Sequence, residues 1–315
     1  MNAVKRGTAL LSMAAAVAAP AVLRAQTPVK LRVIATPFDA SGPVFYAKDL
    51  GYFDKAGLDV DIVTPQNPGI TVSAVAGGSI DIGYINITQV ELAFAKGIPL
   101  RILVPSSMST TNVGPQGDAI MVAKNSPIRT AKDFEGKTLG TAPLKSLGDF
   151  SFNAWAAARG ADPSKFKWVE IPFVACNEAV DAGRIDGSFI IEPFVTQALA
   201  TQRVFCHPFA SIGTRFITAA FCVTPAWADA NKDVARRFAA AIHDAAVWGN
   251  KNQRASGLIV SKYSKIDAAT VAAMARTPYA ETLDPADLQP TIDFLVKNKL
   301  VDAPFRGQDM IYKFS

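Results

Sequence analysis

A twelve-residue stretch of this chain occurs twice. Ala74–Ile85 and Ala179–Ile190 agree at six of twelve positions at an offset of 105 residues. In both copies a helical stretch runs out at a glycine, Gly78 or Gly183, and an Ile-Asp strand starts at once. Glycine tolerates the left-handed conformation that closes a helix, so each copy describes the same helix-to-strand corner. Each copy also brings an aromatic residue, Tyr84 or Phe189, to the end of its strand. Around the corners, short β-type runs alternate with helical segments. Val29–Ala35, Leu58–Val63, Ile80–Ile85 and Leu100–Val104 are expected as strands, with helices over Pro43–Leu50, Thr71–Ala76 and Thr88–Lys96 between them. The pattern restarts after Ala119–Ala123 and the break at Lys124–Pro127: Lys137–Gly140 as strand, Phe150–Ala158 as helix, Trp168–Ile171 as strand. Such alternation predicts an α/β fold of right-handed βαβ units, and the repeated corner predicts two similar lobes, each a mostly parallel sheet flanked by helices.

The 315 residues are 50% hydrophobic and 19% charged, enough for about two domains with real cores and unlike a disordered chain. The net charge of +5 includes Lys5, Arg6 and Arg24, in a stretch of 25 residues without an acid, so the rest carries 5 − 3 = +2. No Lys/Arg run exceeds two residues, so no nucleic-acid footprint is present. Residues 1–25 combine a positive start, an apolar run from Ala9 to Val22 and a small-residue end at Ala25. This is the pattern of a secretory signal peptide, and the apolar run is shorter than the roughly 20 residues that span a bilayer. Cleavage after Ala25 and a soluble mature protein outside the cytoplasm are expected.

Cys176, Cys206 and Cys222 make an odd count for an exported chain. Their spacing leaves two readings open, a Cys206–Cys222 bridge between neighbouring strands or buried free thiols. With no C-x-x-C, and only His207 and His243 as histidines, no metal site is expected.

Several segments carry a family resemblance: Ser41-Gly42-Pro43-Val44-Phe45-Tyr46-Ala47, Leu50-Gly51-Tyr52-Phe53-Asp54-Lys55-Ala56-Gly57-Leu58-Asp59-Val60, the Gly78–Gly83 corner, Asp133-Phe134-Glu135-Gly136-Lys137, Ala182–Asp186 and Glu192-Pro193-Phe194. Together they resemble the periplasmic substrate-binding proteins of ABC importers, in the branch for nitrate, taurine, alkanesulfonates and thiamine-pyrimidine precursors. The resemblance implies the two-lobed type II periplasmic-binding-protein fold, with two crossing strands as hinge. Lobe one would be residues 27–117 plus 220–315 and lobe two 118–219. It further implies a monomer that closes on a small-molecule solute and delivers it to a membrane permease.

Ligands of open α/β sheets sit beyond the carboxyl ends of the strands, near helix N-termini. Four loops of this chain fit that rule. They nominate Phe38, Asp39, Ser41 and Gly42; Tyr84 and Asn86; Thr141, Lys145, Ser146 and Gly148, arranged like an anion-receiving loop; and Glu192 with Phe194. A lone Lys145 against Asp39 and Glu192 argues against a bare inorganic anion. Loop aromatics favour a flat organic molecule, aromatic or heterocyclic, with an organic sulfonate as the alternative. The same fold also serves desulfinases, which need a lobe-one cysteine, and thiamine-pyrimidine synthases, which resemble a pattern of clustered cysteines with a cofactor-holding lysine and histidine. No cysteine precedes Cys176 and none are clustered. The expectation is therefore no enzyme, no catalytic residue and no cofactor, with a ligand sensor uncoupled from transport as a further alternative.

Overall fold

The computed structural model describes residues 27–65, 67–111 and 116–314; the expected signal peptide lies outside them. The strands along the chain are β1 (Val29–Ile34), β2 (Leu58–Val63), β3 (Ile82–Asn86), β4 (Arg101–Thr110), β5 (Asp118–Ala123), β6 (Thr138–Thr141), β7 (Lys167–Glu170), β8 (Gly187–Ile191), β9 (Gln202–Cys206) and β10 (Arg215–Val223). Between them lie α1 (Gly42–Asp49), α2 (Tyr52–Lys55), α3 (Thr71–Ala76), α4 (Ile87–Ala95), α5 (Leu147–Ala157), α6 (Phe173–Asp181) and α7 (Phe194–Ala198). After β10 come α8 (Pro225–Ala230), α9 (Lys232–Lys251), α10 (Gln253–Ser264), α11 (Ala268–Ala273) and α12 (Pro285–Lys297).

The strands form two five-stranded sheets, ordered β2-β1-β3-β10-β4 and β7-β6-β8-β5-β9. In each, a parallel trio is joined by a reversed strand that arrives from the other half of the chain, β10 in the first sheet and β5 in the second. A fifth strand, β4 or β9, pairs antiparallel to that reversed one. The sheets are thus mixed, with a single opposed strand each.

The duplicated corner works the same way in both. Gly78 and Gly183 take φ values of 74° and 67°, the left-handed cap that only glycine adopts without strain. The aspartate that follows clasps the neighbouring strand. The Asp81 N–H donates to Arg32 O at 3.0 Å, and the Asp81 carboxylate accepts the Arg32 N–H at 2.8 Å. Likewise the Asp186 N–H donates to Thr138 O at 2.8 Å, and its carboxylate accepts the Thr138 N–H at 2.9 Å. Each side chain substitutes for one rung of the ladder, which is why β3 begins at Ile82 rather than Ile80.

Apolar spacing sets the layers. Leu58 and Val60 are buried in β2 while Asp59 faces out, whereas β5, inside its sheet, and β4, at the edge of its own, are buried nearly throughout. Along α9, Val234, Ala235, Phe238, Ala241, Ile242, Ala245, Ala246 and Gly249 recur at helical spacing and form its buried face. This face meets α1 and α2, where Phe238 stacks on Phe53 at 5.5 Å. Each such large side chain contributes roughly 1.5–3 kcal/mol by leaving water. No helix among the described residues is long and apolar enough to cross a membrane.

All three cysteines are free thiols. A Cys206–Cys222 bridge is excluded by topology, because Cys206 pairs with Ile120 in the second sheet and Cys222 with Gly83 in the first.

Candidate ligand-binding cleft

A cavity of about 410 Å³ lies between the two sheets, in the size range of small-molecule sites. The first half of its wall comes from the loop after β1 (Thr36, Phe38), the end of β3 (Tyr84, Asn86), the end of β4 (Ser109, Thr110) and residues 274–278. The second half comes from Asp118 at the start of β5, Ser146 and Phe173 at helix starts, Phe189 and Ile191 of β8, and Phe209. The two echo aromatics, Tyr84 and Phe189, thus line the same space. Aromatic packing also joins the two halves: the Phe38 ring lies 5.6 Å from Phe173 and 5.4 Å from Phe194, edge-on to the latter. Phe189 and Phe209 pack at 5.6 Å on the second side.

Of the residues nominated from sequence, Phe38, Tyr84, Asn86 and Ser146 are on the cavity wall. Asn86 caps α4, its carboxamide oxygen accepting from Thr88 N–H at 3.2 Å and Thr88 Oγ1 at 2.8 Å. Its NH2 donates to no protein group among the described residues. Tyr84 has its hydroxyl pKa raised by burial. The other nominees are not on the wall. Ser41 does not cap α1 as a helix-start signal would; its Oγ donates to Phe38 O at 3.0 Å and to Thr36 O, closing the loop on itself. A Cβ on Gly42 would fall 2.5 Å from the Tyr46 hydroxyl, and one on Gly148 would fall 2.4 Å from Phe189 Cδ1, so both glycines permit close packing. Thr141 is fully buried, with its hydroxyl unpartnered.

Asp39 is buried and committed to Arg276. The guanidinium Nε and Nη2 lie 3.0 and 2.8 Å from Asp39 Oδ1, the Thr277 N–H donates to Oδ2 at 2.6 Å, and the Tyr279 hydroxyl donates to Oδ1 at 3.0 Å. Burial works against the Arg276 charge, and the Asp39 carboxylate more than offsets it, holding the guanidinium pKa above its ordinary value. The Thr141–Gly148 loop does receive an anion, but it is the chain's own Asp149, whose carboxylate accepts the N–H groups of Lys145 and Ser146 at 2.8 Å each. The Lys145 side chain is exposed. Glu192 accepts from Thr196 N–H at 3.0 Å, Thr196 Oγ1 at 2.9 Å and, across the halves, Ala275 N–H at 3.2 Å. Burial raises its pKa against these bonds. Phe194 is buried against Phe38.

Sequence reasoning missed two charged groups on the wall, Asp118 and Arg276. Asp118 is 3% exposed, and its carboxylate accepts from the Phe209 N–H at 3.3 Å. Burial pushes its pKa up to about 6, partly opposed by the nearby His207. A signal for it was available: Asp118 is a lone charge opening an otherwise apolar strand. Arg276 had no such signal, because its partner is 237 residues away. The Cys176 thiol is pushed up to about 12 by burial, and burial raises Cys206 and Cys222 further. No group of three or more His, Cys, Asp or Glu able to hold a metal occurs among the described residues.

Comparison with known proteins places this geometry. The 4-amino-5-hydroxymethyl-2-methylpyrimidine phosphate synthase of Schizosaccharomyces pombe is 28% identical over 158 residues, 50% of this chain and 42% of that protein. Proteins of the same name from Legionella pneumophila and Saccharomyces cerevisiae match at 27% and 34%. The chain therefore spans about two-fifths of the length of these curated relatives. The bicarbonate transport ATP-binding protein CmpC of Synechocystis is 28% identical over 185 residues, 54% of this chain and 27% of that protein. Among solved structures, the periplasmic aliphatic sulphonate binding protein SsuA of Escherichia coli superposes with a TM-score of 0.69 at 19% identity, covering 91% of this chain and 92% of its own. This likeness shows the periplasmic-binding-protein fold. The synthase relatives correct one expectation. Arguing from missing cysteines that the chain is no enzyme does not hold when several of its sequence relatives are named as enzymes. Residues 40–256, more than two thirds of the sequence, match the family described as NMT1/THI5 like, and the chain belongs to that family.

Proposed function

We propose that the chain is a periplasmic solute-binding protein that closes two lobes, residues 27–117 with 220–315 and residues 118–219, on a small flat organic molecule, and passes it to the permease of an ABC transporter. The observation that carries this reading is the cavity of about 410 Å³ walled from both sheets, with aromatic rings on each side. The chain's similarity to the bicarbonate transport protein of Synechocystis and to the periplasmic sulphonate-binding protein of Escherichia coli supports it. Export would follow from cleavage after Ala25, and the unit would act as a monomer. Phe38, Tyr84, Asn86 and Ser146 would contact the solute. Closure would be a hinge movement about the crossing strands, the form that a membrane partner recognises.

A second reading is favoured by the synthase relatives: the same cleft converts what it binds. One experiment separates the two. The chain from Gln26 onward is screened by thermal shift against aromatic acids, pyrimidines, sulfonates and nitrate, and each stabilising compound is recovered and weighed by mass spectrometry. Stoichiometric binding of an unaltered compound, with a more compact scattering curve on saturation, supports capture. Recovery of a converted product supports the enzyme reading.

A further inference from the structure

Positive charge is concentrated on one face of the second half, away from the cleft. Arg129 Nη1 donates to the carbonyls of Ser126 and Ile128, and Arg203 Nη2 donates to the same two. Two guanidinium groups are thus held side by side, and burial together with the Arg129 charge lowers the Arg203 pKa. Arg203 and Phe205 project from the same side of the edge strand β9. The Phe205 ring packs on Trp155 at 5.6 Å, and the Arg159 guanidinium lies over Trp155 at 3.9 Å. Beside it, a Cβ on Gly160 would lie 3.5 Å from Lys132 Cε. Lys124, just past β5, reaches Ala200 O at 2.8 Å. None of these five cations is bonded to a carboxylate among the described residues. The acids on the intervening turns are Asp133, Glu135 and Asp162, and Lys165 meets the last two at 2.8 and 3.8 Å. With Lys165 counted, this face carries 6 − 3 = +3, against +2 for everything beyond residue 25. The remainder therefore sums to 2 − 3 = −1, so the excess belongs to this face. β5 starts at the cleft with Asp118 and ends at Ala123, which puts Lys124 roughly 20 Å from Asp118.

We propose that this face, built from β9, the end of α5 and the turns between Lys124 and Lys132, docks on an anionic phospholipid surface. Guanidinium groups match phosphate geometry, and cations spread over several elements fit a plane of headgroups rather than a single bound ion. Trp155, half-buried beneath Arg159, is an amphipathic ring of the kind that settles at headgroup level. Docking here leaves the cleft, at the other end of β5, uncovered. The inference holds whether the cleft captures its solute or converts it.

The test is co-sedimentation with lipid vesicles of the chain from Gln26 onward, which holds every described residue. At about 50 mM salt, vesicles with about 30% phosphatidylglycerol should bind at least about fivefold more chain than phosphatidylcholine alone, and about 0.5 M salt should abolish the excess. Arg129→Gln, Lys132→Gln and Arg159→Gln combined, all at exposed positions, should lower the excess at least about threefold. Lys30→Gln, Lys55→Gln and Lys251→Gln combined remove the same charge from exposed positions of the first half and should leave it within about twofold. A second measurement leaves the cations in place. Brominated lipid should quench tryptophan emission, and Trp155→Phe should remove that quenching. Equal binding to neutral vesicles, an equal loss in the first-half variant, or quenching that survives Trp155→Phe would overturn the inference. So would release by inorganic phosphate beyond that by sodium chloride of equal ionic strength, which points to a discrete ion site. Preferred binding to polyglutamate would overturn it as well, in favour of an acidic protein partner. Each of these outcomes leaves the reading of the cleft standing.

Discussion

The first loop of each sheet buries a carboxylate beside the cleft, but the two are satisfied in opposite ways. In the first half, Asp39 follows β1 and is held by Arg276 and Thr277, more than 230 residues along the chain. In the second half, Asp149 follows β6 and is held by N–H groups of Lys145 and Ser146, its immediate neighbours. The second loop is therefore locally self-sufficient, a helix start closing on its own side chain. The first loop is completed only when the carboxy-terminal segment has folded back over it. A shared strand order thus does not carry a shared loop chemistry, and the long-range pair makes the first half depend on the far end of the chain.

The sharpest way to break that contrast is Arg276→Met. Removing one partner of a buried pair leaves the other charge stranded, at a cost of about 3–5 kcal/mol. The Asp39 side chain is fully buried and that of Arg276 only 9% exposed, so solvent offers little relief. Urea denaturation should show this loss, and Asp39→Asn added to Arg276→Met should recover part of it. Asp149→Asn should cost far less, because the asparagine oxygen still accepts a backbone N–H. Equal losses at the two loops would mean that the second is as dependent on distant structure as the first.

A further asymmetry lies one strand on. The helix leaving β3, α4, buries Glu91 completely, with Oε1 accepting from Thr291 Oγ1 and Oε2 unpartnered. The helix leaving β8, α7, buries only Phe194, Val195 and Ala198. Burial raises the Glu91 pKa well above the ordinary carboxyl value, so the folded chain keeps a proton that the unfolded chain loses. Stability must then fall as pH rises from the unfolded pKa towards the folded one, by up to about 1.4 kcal/mol per pH unit from this group. Glu91→Gln should flatten the decline between pH 5 and pH 8 in thermal melts. A wild-type slope that the substitution leaves unchanged would assign the pH dependence to other buried acids.

These asymmetries bear on what a sequence discloses. Most strands, the glycine-closed helix ends and the twin corners are legible because each depends on neighbours within a few residues: Gly78 and Gly183 announce their own left-handed caps, whereas β9 and β10 carry no such local signal. The positions of Tyr84 and Phe189 followed from the corners, and both line the cavity. Asp39 is a ligand-facing candidate from sequence because nothing local distinguishes a free carboxylate from one paired with Arg276. Asp118 went unread for a related reason: it stands at the crossing between halves, where its exposure depends on how the two sheets meet.

The corners give a finer comparison. Asp81 accepts the Arg32 N–H together with the Arg32 guanidinium, whose Nη2 lies 2.6 Å away, while Asp186 accepts the Thr138 N–H and has Lys137 Nζ at 3.3 Å. The backbone bond common to both is worth about 1 kcal/mol net. Asp81→Ala and Asp186→Ala should each lose about that much by chemical denaturation. The excess at Asp81 should be small and should disappear in high salt, because the Arg32 side chain is half exposed. An excess that survives salt would show that the guanidinium fixes the first corner in a way the second lacks.

The smallest expected effect concerns Lys145. Its side chain is exposed and absent from the cavity wall, and its backbone adopts φ 55°, a conformation that glycine takes with less strain. If the second loop serves only to seat Asp149, the lysine charge is dispensable. Lys145→Ala should then leave the affinity for any solute found by screening within about twofold, and stability within about 0.5 kcal/mol, as exposed substitutions do. Lys145→Gly should behave alike, since relief of the left-handed strain is offset by the greater freedom of the unfolded glycine. Loss of binding in Lys145→Ala with unchanged stability would show instead that the lysine reaches into the cleft when a solute arrives, and that the second loop, too, serves something beyond itself.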